Sequence, residues 1–257
     1  MTIAKLYRTN VYGLKYPYKT RSIMIKAVFF DMYNTLICYD PPREKTQANA
    51  LKKYGYDLKP ETLTVPIVAA DEYFYEENAK IALAKRSDEE KRNLWAQYEV
   101  ILLNEAGITP TKELIGSMLM EMKNFKYEMA LYNDVIPTLT AIRNKGLITG
   151  LVSNVDKDIT SMLERLQLES LLEVVVTSQE VGFTKPHPEI FEAAVRKAGI
   201  KAGDAVFIGD QYKIDVLGAI NVGMSGILLD RTDYYKNDGI KEPRIRNLNQ
   251  LIELLAK

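Results

Sequence analysis

The sequence holds one cysteine, no excess of either charge and no long apolar run. Each absence removes a class of protein. Cys38 alone cannot form an internal disulfide, and a chain this poor in thiols suits the cytoplasm. Lysine plus arginine and aspartate plus glutamate both number 34, so the basic footprint of a nucleic-acid binder is missing. No apolar stretch reaches the roughly 18 residues that a membrane-spanning helix needs. The opening "MTIAKLYRTNVYGLKYPYKTRSIM" has no continuous apolar segment and does not read as a signal peptide. Residues 1–24 are expected to be an extension ahead of the first core strand, with Met24 available as an alternative start. There is neither an internal repeat nor a low-complexity segment. What is present is a chain of 257 residues, 47% hydrophobic, long enough for a large core plus a smaller domain.

From residue 132 onward two patterns alternate. "GLITGLV" (146–152), "LEVVVTS" (172–178), "DAVFIGD" (204–210) and "SGILLD" (225–230) are short apolar runs of strand type. Between them "DKDITSMLERLQL", "EIFEAAVRKAGI" and "YKIDVLGAINVG" carry helical spacing, the last two stopped by Gly199 and Gly223. Strands alternating with helices of this kind build βαβ units and a parallel sheet. "IKAVFFD" (25–31) belongs to the same sheet. Between residues 40 and 131 the pattern is helical throughout. "SDEEKRNLWAQYEVILLNEAG" opens with a Ser87/Glu90 capping box and closes at Gly107, and "TKELIGSMLMEMKNFKYEM" follows Pro110. Trp95 and methionines 118, 120, 122 and 129 are expected in the core of this helical module, and Tyr73, Phe74 and Tyr75 in its core or on its surface.

Four positions fall just past the carboxyl ends of the expected strands: Asp31, Ser153, Lys185 beyond a longer loop, and Asp210 with Asp215. In open α/β sheets that edge is where ligands bind. Any one of them has a structural explanation as a cap, a turn or a solvated loop residue; together, at one edge, they form a coherent chemistry. A carboxylate such as Asp31 can act as nucleophile and form a covalent ester or acyl phosphate. Asp210 and Asp215 can hold Mg²⁺ together with Asp31, since that cation takes oxygen ligands and keeps several waters. Lys185 supplies a fixed positive charge, and Ser153 can hold oxygens of a phosphoryl group.

In "FFDMYNTL", "LVSN", "TKPHPEIF" and "GDQYKID" the sequence resembles the haloacid dehalogenase (HAD) superfamily, over residues 25–38 and 132–230. The resemblance implies a Rossmann-like core of residues 25–39 and 132–257 and a mobile helical cap inserted at 40–131. It implies Asp31 as nucleophile, Thr35 orienting it, Ser153 as phosphoryl or carboxylate ligand, and Lys185 as charge neutraliser, with Asn34 and Asn154 on the substrate side. In the phosphatase branch it also implies Mg²⁺ held by Asp31, Asp210 and the backbone carbonyl of Tyr33, with Asp215 supporting.

Tyr33 departs from that branch. Most phosphatases of the family have a second aspartate there, which protonates the leaving alkoxide and then activates water. A phenol with an ordinary pKa near 10 is a poor general base at neutral pH. Metal-independent 2-haloacid dehalogenases carry a tyrosine at this place, because halide needs no proton. Asp210 points the other way, since an acid pair beside another acid has little purpose without a cation. So does Phe191, where those dehalogenases have a tyrosine. The expectation is a Mg²⁺-dependent hydrolase of a small phosphorylated metabolite acting through an aspartyl phosphate on Asp31. The alternatives are a metal-independent dehalogenase and a binding protein with impaired catalysis. Neither nucleic acid nor a membrane is an expected partner. His187, flanked by prolines, reads as a loop side chain, and Cys38 as a small filler.

Overall fold

The computed structural model describes residues 8–9, 15–16, 25–236 and 239–255. Of the expected extension, β1 (Arg8–Thr9) and β2 (Lys15–Tyr16) form a short antiparallel ladder, and the rest of 1–24 lies outside the described residues. The chain continues through β3 (Ala27–Phe30) and β4 (Ile37–Asp40) into α1 (Arg43–Lys52), α2 (Thr64–Lys80), α3 (Asp88–Glu105) and α4 (Lys112–Asn124). It returns through β5 (Glu128–Leu131) and α5 (Val135–Asn144) to β6 (Ile148–Ser153), α6 (Thr160–Arg165), β7 (Val174–Thr177) and α7 (Ser178–Val181). It ends with α8 (Pro188–Ala198), β8 (Ala205–Gly209), α9 (Leu217–Asn221), β9 (Ser225–Leu229), β10 (Arg244–Ile245) and α10 (Asn249–Leu254).

Six strands form one sheet in the order β10-β9-β8-β3-β6-β7, parallel at every pairing. β3 reads AVFF and is buried at all four positions, so it needs cover on both faces and takes the interior of the sheet. On one face Val28 and Phe30 pack with Leu139 and Ile142 of α5; on the other Ala27 and Phe29 pack with Ile190 and Phe191 of α8. The fold is α/β with a Rossmann-like sheet covered on both sides. The strand order reverses direction at β3, between β6 and β8, and this switch point leaves a crevice at the carboxyl ends.

The four helices α1–α4 have their own apolar cluster, in which Leu51, Ile67, Leu102, Leu103 and Met118 are buried. The capping box of α3 is formed, with Glu90 N donating to Ser87 Oγ at 3.2 Å and Ser87 N to Glu90 Oε2 at 2.7 Å. The expected aromatic and methionine core is only partly there. Met118 is buried, but Met120 is 60% exposed, because residues two apart lie on opposite sides of a helix. Trp95 is 37% exposed and stacks on Phe74 at the bundle's surface, and Met129 belongs to the sheet's cluster. A second difference is β4–β5. The helical reading of "KNFKYEM" stops at Asn124, and Glu128–Leu131 pairs antiparallel with Ile37–Asp40. Both passages between sheet and helices therefore run side by side in one ribbon. Among the described residues no helix is long and apolar enough to cross a membrane.

Candidate active site

Asp31 follows β3 directly, its N–H bonded to Ile208 O at 2.9 Å, so the carboxylate emerges at the switch point. A tight turn follows. Leu36 N and Ile37 N both donate to Met32 O at 2.9 Å, and Asn34 N donates to Ile37 O at 2.8 Å. The turn needs a left-handed residue at Asn34 (φ 57°), a conformation asparagine tolerates better than most. Arg231 steadies it, donating to Thr35 O at 2.9 Å while its guanidinium forks onto Asp134 at 2.8 and 2.9 Å.

Lys185 is delivered by a backbone clamp. Its N–H donates to Asn154 Oδ1 at 2.6 Å, and Asn154 Nδ2 donates back to Lys185 O at 3.0 Å. The side chain runs inward, 2% exposed, and Nζ donates to Asp31 Oδ1 and, at 2.7 Å, to Asp215 Oδ1. Burial alone would lower this amine's pKa; the carboxylates of Asp215 and Asp31 outweigh it and push the pKa up, so the lysine is a cation.

Asp215 comes from a single π-helical turn, Tyr212–Val216, just after β8. Wider turns of this kind frequently mark functional sites. The turn tucks the Asp215 carboxylate under the strand end, where Oδ2 accepts from Gln211 N at 3.0 Å. Gly209 makes room for it, since a β-carbon there would collide with the carboxylate. Asp210 Oδ2 accepts from Gln211 Nε2 at 3.0 Å and from Asn34 Nδ2 at 3.4 Å.

Asp31, Asp210 and Asp215 thus meet, each with a carboxylate oxygen within 4.8 Å of the others. One ammonium faces three acids. Burial, opposed by Lys185 and reinforced by Asp215, raises the Asp31 pKa to about 6. Burial, with Asp31 and Asp215 adding repulsion, pushes Asp210 well above the usual carboxylate range. An all-oxygen donor set with uncompensated negative charge fits a hard divalent cation such as Mg²⁺. A site for anions adjoins it. Among the described residues the buried hydroxyl of Ser153 has no hydrogen-bond partner, and it faces the same small chamber as Asp31 and Lys185. The chamber measures about 10 Å³, room for about one water.

Tyr33 and Tyr75 complete the chamber walls. Burial, with Tyr39 adding to it, pushes the Tyr33 phenol up to about 12. Tyr75 belongs to α2, which is fastened to the sheet domain on either side of it. Glu72 accepts from Tyr234 OH at 3.0 Å and Tyr235 OH at 2.8 Å, and Lys213 reaches Glu76 at 2.5 Å.

Of the residues singled out from sequence, Asp31, Tyr33, Ser153, Asn154, Lys185, Asp210 and Asp215 all line this chamber. Three details differ from expectation. Thr35 makes no hydrogen bond to Asp31; its buried hydroxyl has no partner among the described residues. Asn154 spends both amide atoms on the Lys185 backbone and so positions the lysine. Asn34 stands behind Asp210, accepting from Arg43 at 3.5 Å. His187 is exposed at the start of α8, and the Cys38 thiol points at Ala130 O, 3.6 Å away. Sequence reasoning passed over Gln211, whose place beside Asp210 was a usable signal. It reached Tyr75 only as one of the aromatics Tyr73, Phe74 and Tyr75, one face of which could meet substrate, and spacing did not single it out.

Comparison with known proteins bears on the fold and the family. The protein is 30% identical over 247 residues to the glyceraldehyde 3-phosphate phosphatase of Methanopyrus kandleri, covering 91% of this chain and all of that one. It is 31% identical over 240 residues to the enzyme of the same name from Methanothermobacter thermautotrophicus, covering 90% of this chain and all of that one. Among solved structures, an L-2-haloacid dehalogenase superposes with a TM-score of 0.60 at 18% identity, covering 91% of this chain and all of that one, which is a likeness of fold. Residues 25–223 match the family model of haloacid dehalogenase-like hydrolases, and the chain belongs to that family.

Proposed function

We propose that the protein is a Mg²⁺-dependent phosphatase of a small phosphorylated metabolite, working through an aspartyl phosphate on Asp31. The observation that carries the reading is the cluster of three carboxylates within 4.8 Å of one another, two of them bonded to the buried Lys185. Asp31, Asp210 and the Tyr33 carbonyl would hold the cation, with Asp215 supporting. When bound, Mg²⁺ neutralises the acids and draws charge from the phosphoryl oxygens. The names of the Methanopyrus and Methanothermobacter relatives support a phosphate monoester as substrate. In this reading residues 25–39 and 132–257 are the core, 40–131 the cap and 1–24 an extension, and the low thiol content supports a cytoplasmic setting.

The chain's own residues divide the work. Lys185 holds one oxygen of Asp31 and leaves the other to attack phosphorus in line with the departing oxygen. The Ser153 hydroxyl donates to a phosphoryl oxygen, which gives its orphaned polar atom a partner. Tyr75 and the α2 clasp keep bulk water away from the acyl phosphate until one water enters to hydrolyse it.

Phosphate release from p-nitrophenyl phosphate, with EDTA and after Mg²⁺ restoration, tests the reading. Activity should vanish with chelator and return with metal. Asp31→Asn should lower it by roughly 10³-fold or more, the scale of removing a nucleophile. Full activity in EDTA would overturn the proposal.

Tyr33 supports a second reading, hydrolysis of a 2-haloacid through an ester on Asp31. Tyr33→Asp separates the two. In a phosphatase it supplies the missing acid–base group, which is typically worth about 10²- to 10⁴-fold. A site shaped around a phenol should recover part of that for an alkyl phosphate. In a dehalogenase the new carboxylate would repel the haloacid, and chloride release from 2-chloropropionate would fall.

A further inference from the structure

Next to the chamber lies a second cavity of about 380 Å³. One wall is the β4–β5 ribbon with its flank, contributing Tyr39, Tyr127 and Met129; the other is α6 and the loop before it, contributing Met162 and Lys157. Tyr33 lines both spaces and so stands where the chamber adjoins the groove. The sizes matter. A chamber of about 10 Å³ cannot enclose a whole phosphate ester, whereas 380 Å³ lies within the range of about 300–1,000 Å³ usual for small-molecule pockets. Whatever is esterified to a phosphoryl group at Asp31 must extend out of the chamber. On the α2 side Tyr75 lines the chamber, and α2 is held to the sheet domain through Glu72 and Glu76. The groove shares Tyr33 with the chamber and is therefore the neighbouring space.

The groove's chemistry is aromatic. Tyr39 and Tyr127 meet edge-on, with ring centroids 4.9 Å apart and planes at 61°. Phe125 stacks behind Tyr127 at 6.1 Å and 21°, fixing the plane of a ring that is 51% exposed. Ordered tyrosine faces and methionine thioethers are surfaces that favour another ring. Among the described residues no leucine, isoleucine or valine lines the groove. At its rim Lys157 makes no ion pair among the described residues, and Arg165 stands 4.0 Å from Glu128, so two cations line the groove against one carboxylate, with Asp156 close enough to act on Tyr33.

We propose that this groove binds the organic half of the substrate and that this half is aromatic, making the preferred substrates phosphate monoesters of benzyl or phenyl type. The assignment rests on the phosphatase reading and adds the substrate class. Benzyl phosphate and ethyl phosphate test it, because both release a primary alkoxide and differ chiefly in the ring. The kcat/KM for benzyl phosphate should exceed that for ethyl phosphate by about 10-fold or more, the worth of one to two aromatic contacts plus the buried ring. Tyr127→Leu should lower this ratio about 5-fold, mainly through KM, as one ring contact is lost. Inhibition by benzylphosphonate, compared with ethylphosphonate, should follow the same preference in the unaltered protein, so the result does not depend on a variant folding. Equal hydrolysis of the two esters, with phosphate still released, overturns the groove assignment and leaves the phosphatase reading standing. A ratio unchanged by Tyr127→Leu also overturns it. Phosphate release from no ester at all overturns both.

Discussion

The sheet domain and the helical insert each bury a cluster of charge, and the two clusters are built on opposite terms. In the insert Arg43 forks onto Asp71 at 2.6 and 2.8 Å, and Tyr98 OH donates to the same carboxylate at 2.9 Å. In this pair each charge has an opposite partner. At the sheet edge three acids cluster but the lysine bonds only Asp31 and Asp215, and the hydroxyls of Ser153 and Thr35 have no partner among the described residues. Balanced charge fastens helices together. Unbalanced charge is a cost that the cation and anion of the proposed reaction would relieve, which is how binding sites commonly trade stability for function.

The comparison can be broken first in the insert. Asp71→Ala leaves Arg43 without its counter-charge in a largely buried place, and should cost about 3–5 kcal/mol. Thermal melting checks this, and Arg43→Met with Asp71→Leu should recover most of the loss, because an apolar pair replaces both charges. Survival of the single variant at wild-type Tm would show that the pair does not hold α1 to α2.

Glu99 gives a smaller effect of opposite sign. It is buried on α3 with Gln47 Nε2 donating to it at 2.9 Å, and burial, only partly offset by that bond, raises its pKa from 4.5 to about 7. Between those values the unfolded chain has released the proton and the folded one has kept it, so stability falls as pH rises. Glu99→Gln should therefore leave Tm unchanged near pH 4 and raise stability by up to about 3 kcal/mol at pH 8. A gain that does not grow with pH would contradict the shift.

The least effect is expected at the sheet edge, and it inverts the Asp71 result. Asp210→Asn removes one of three repelling acids, so in EDTA the variant should melt above the wild type, by about 1–2 kcal/mol of added stability. Mg²⁺ should then stabilise the wild type and leave the variant unmoved. Equal Mg²⁺ stabilisation of both would remove Asp210 from the metal site.

Much of the sheet domain was legible because each strand carries its own local mark. β3, β6, β7, β8 and β9 are short apolar runs, and Asp31, Ser153 and Asp210 stand at or just past the ends of three of them. What stayed hidden depends on long-range pairing. β4 and β5 are made of "ICYD" and "EMAL", which have little strand character alone and are strands because they find each other across the insert. Tyr75 is marked only by which face of α2 meets the sheet. Met120 was misread because richness in methionine was taken for burial, when helical phase separates it from Met118. The π-turn that presents Asp215 is likewise invisible in "YKID", whose spacing suits an ordinary helix equally well.

β3 also fixes the order in which the molecule can assemble. Ala27 pairs with Ile148 on one side and with Ala205 on the other, so this strand leaves the ribosome long before either neighbour exists. The helical insert is made in that interval, and its largest internal contact, α2 against α3, joins elements adjacent in sequence. Low contact order lets such a unit close quickly, while a parallel sheet must wait for distant strands. Closure of the insert ahead of the sheet is the order this topology favours, with AVFF an unpaired apolar edge until the second half of the chain arrives. During synthesis that segment is the molecule's chief hazard for misassembly, and early closure of the helices is what keeps the wait short in space even where it is long in sequence.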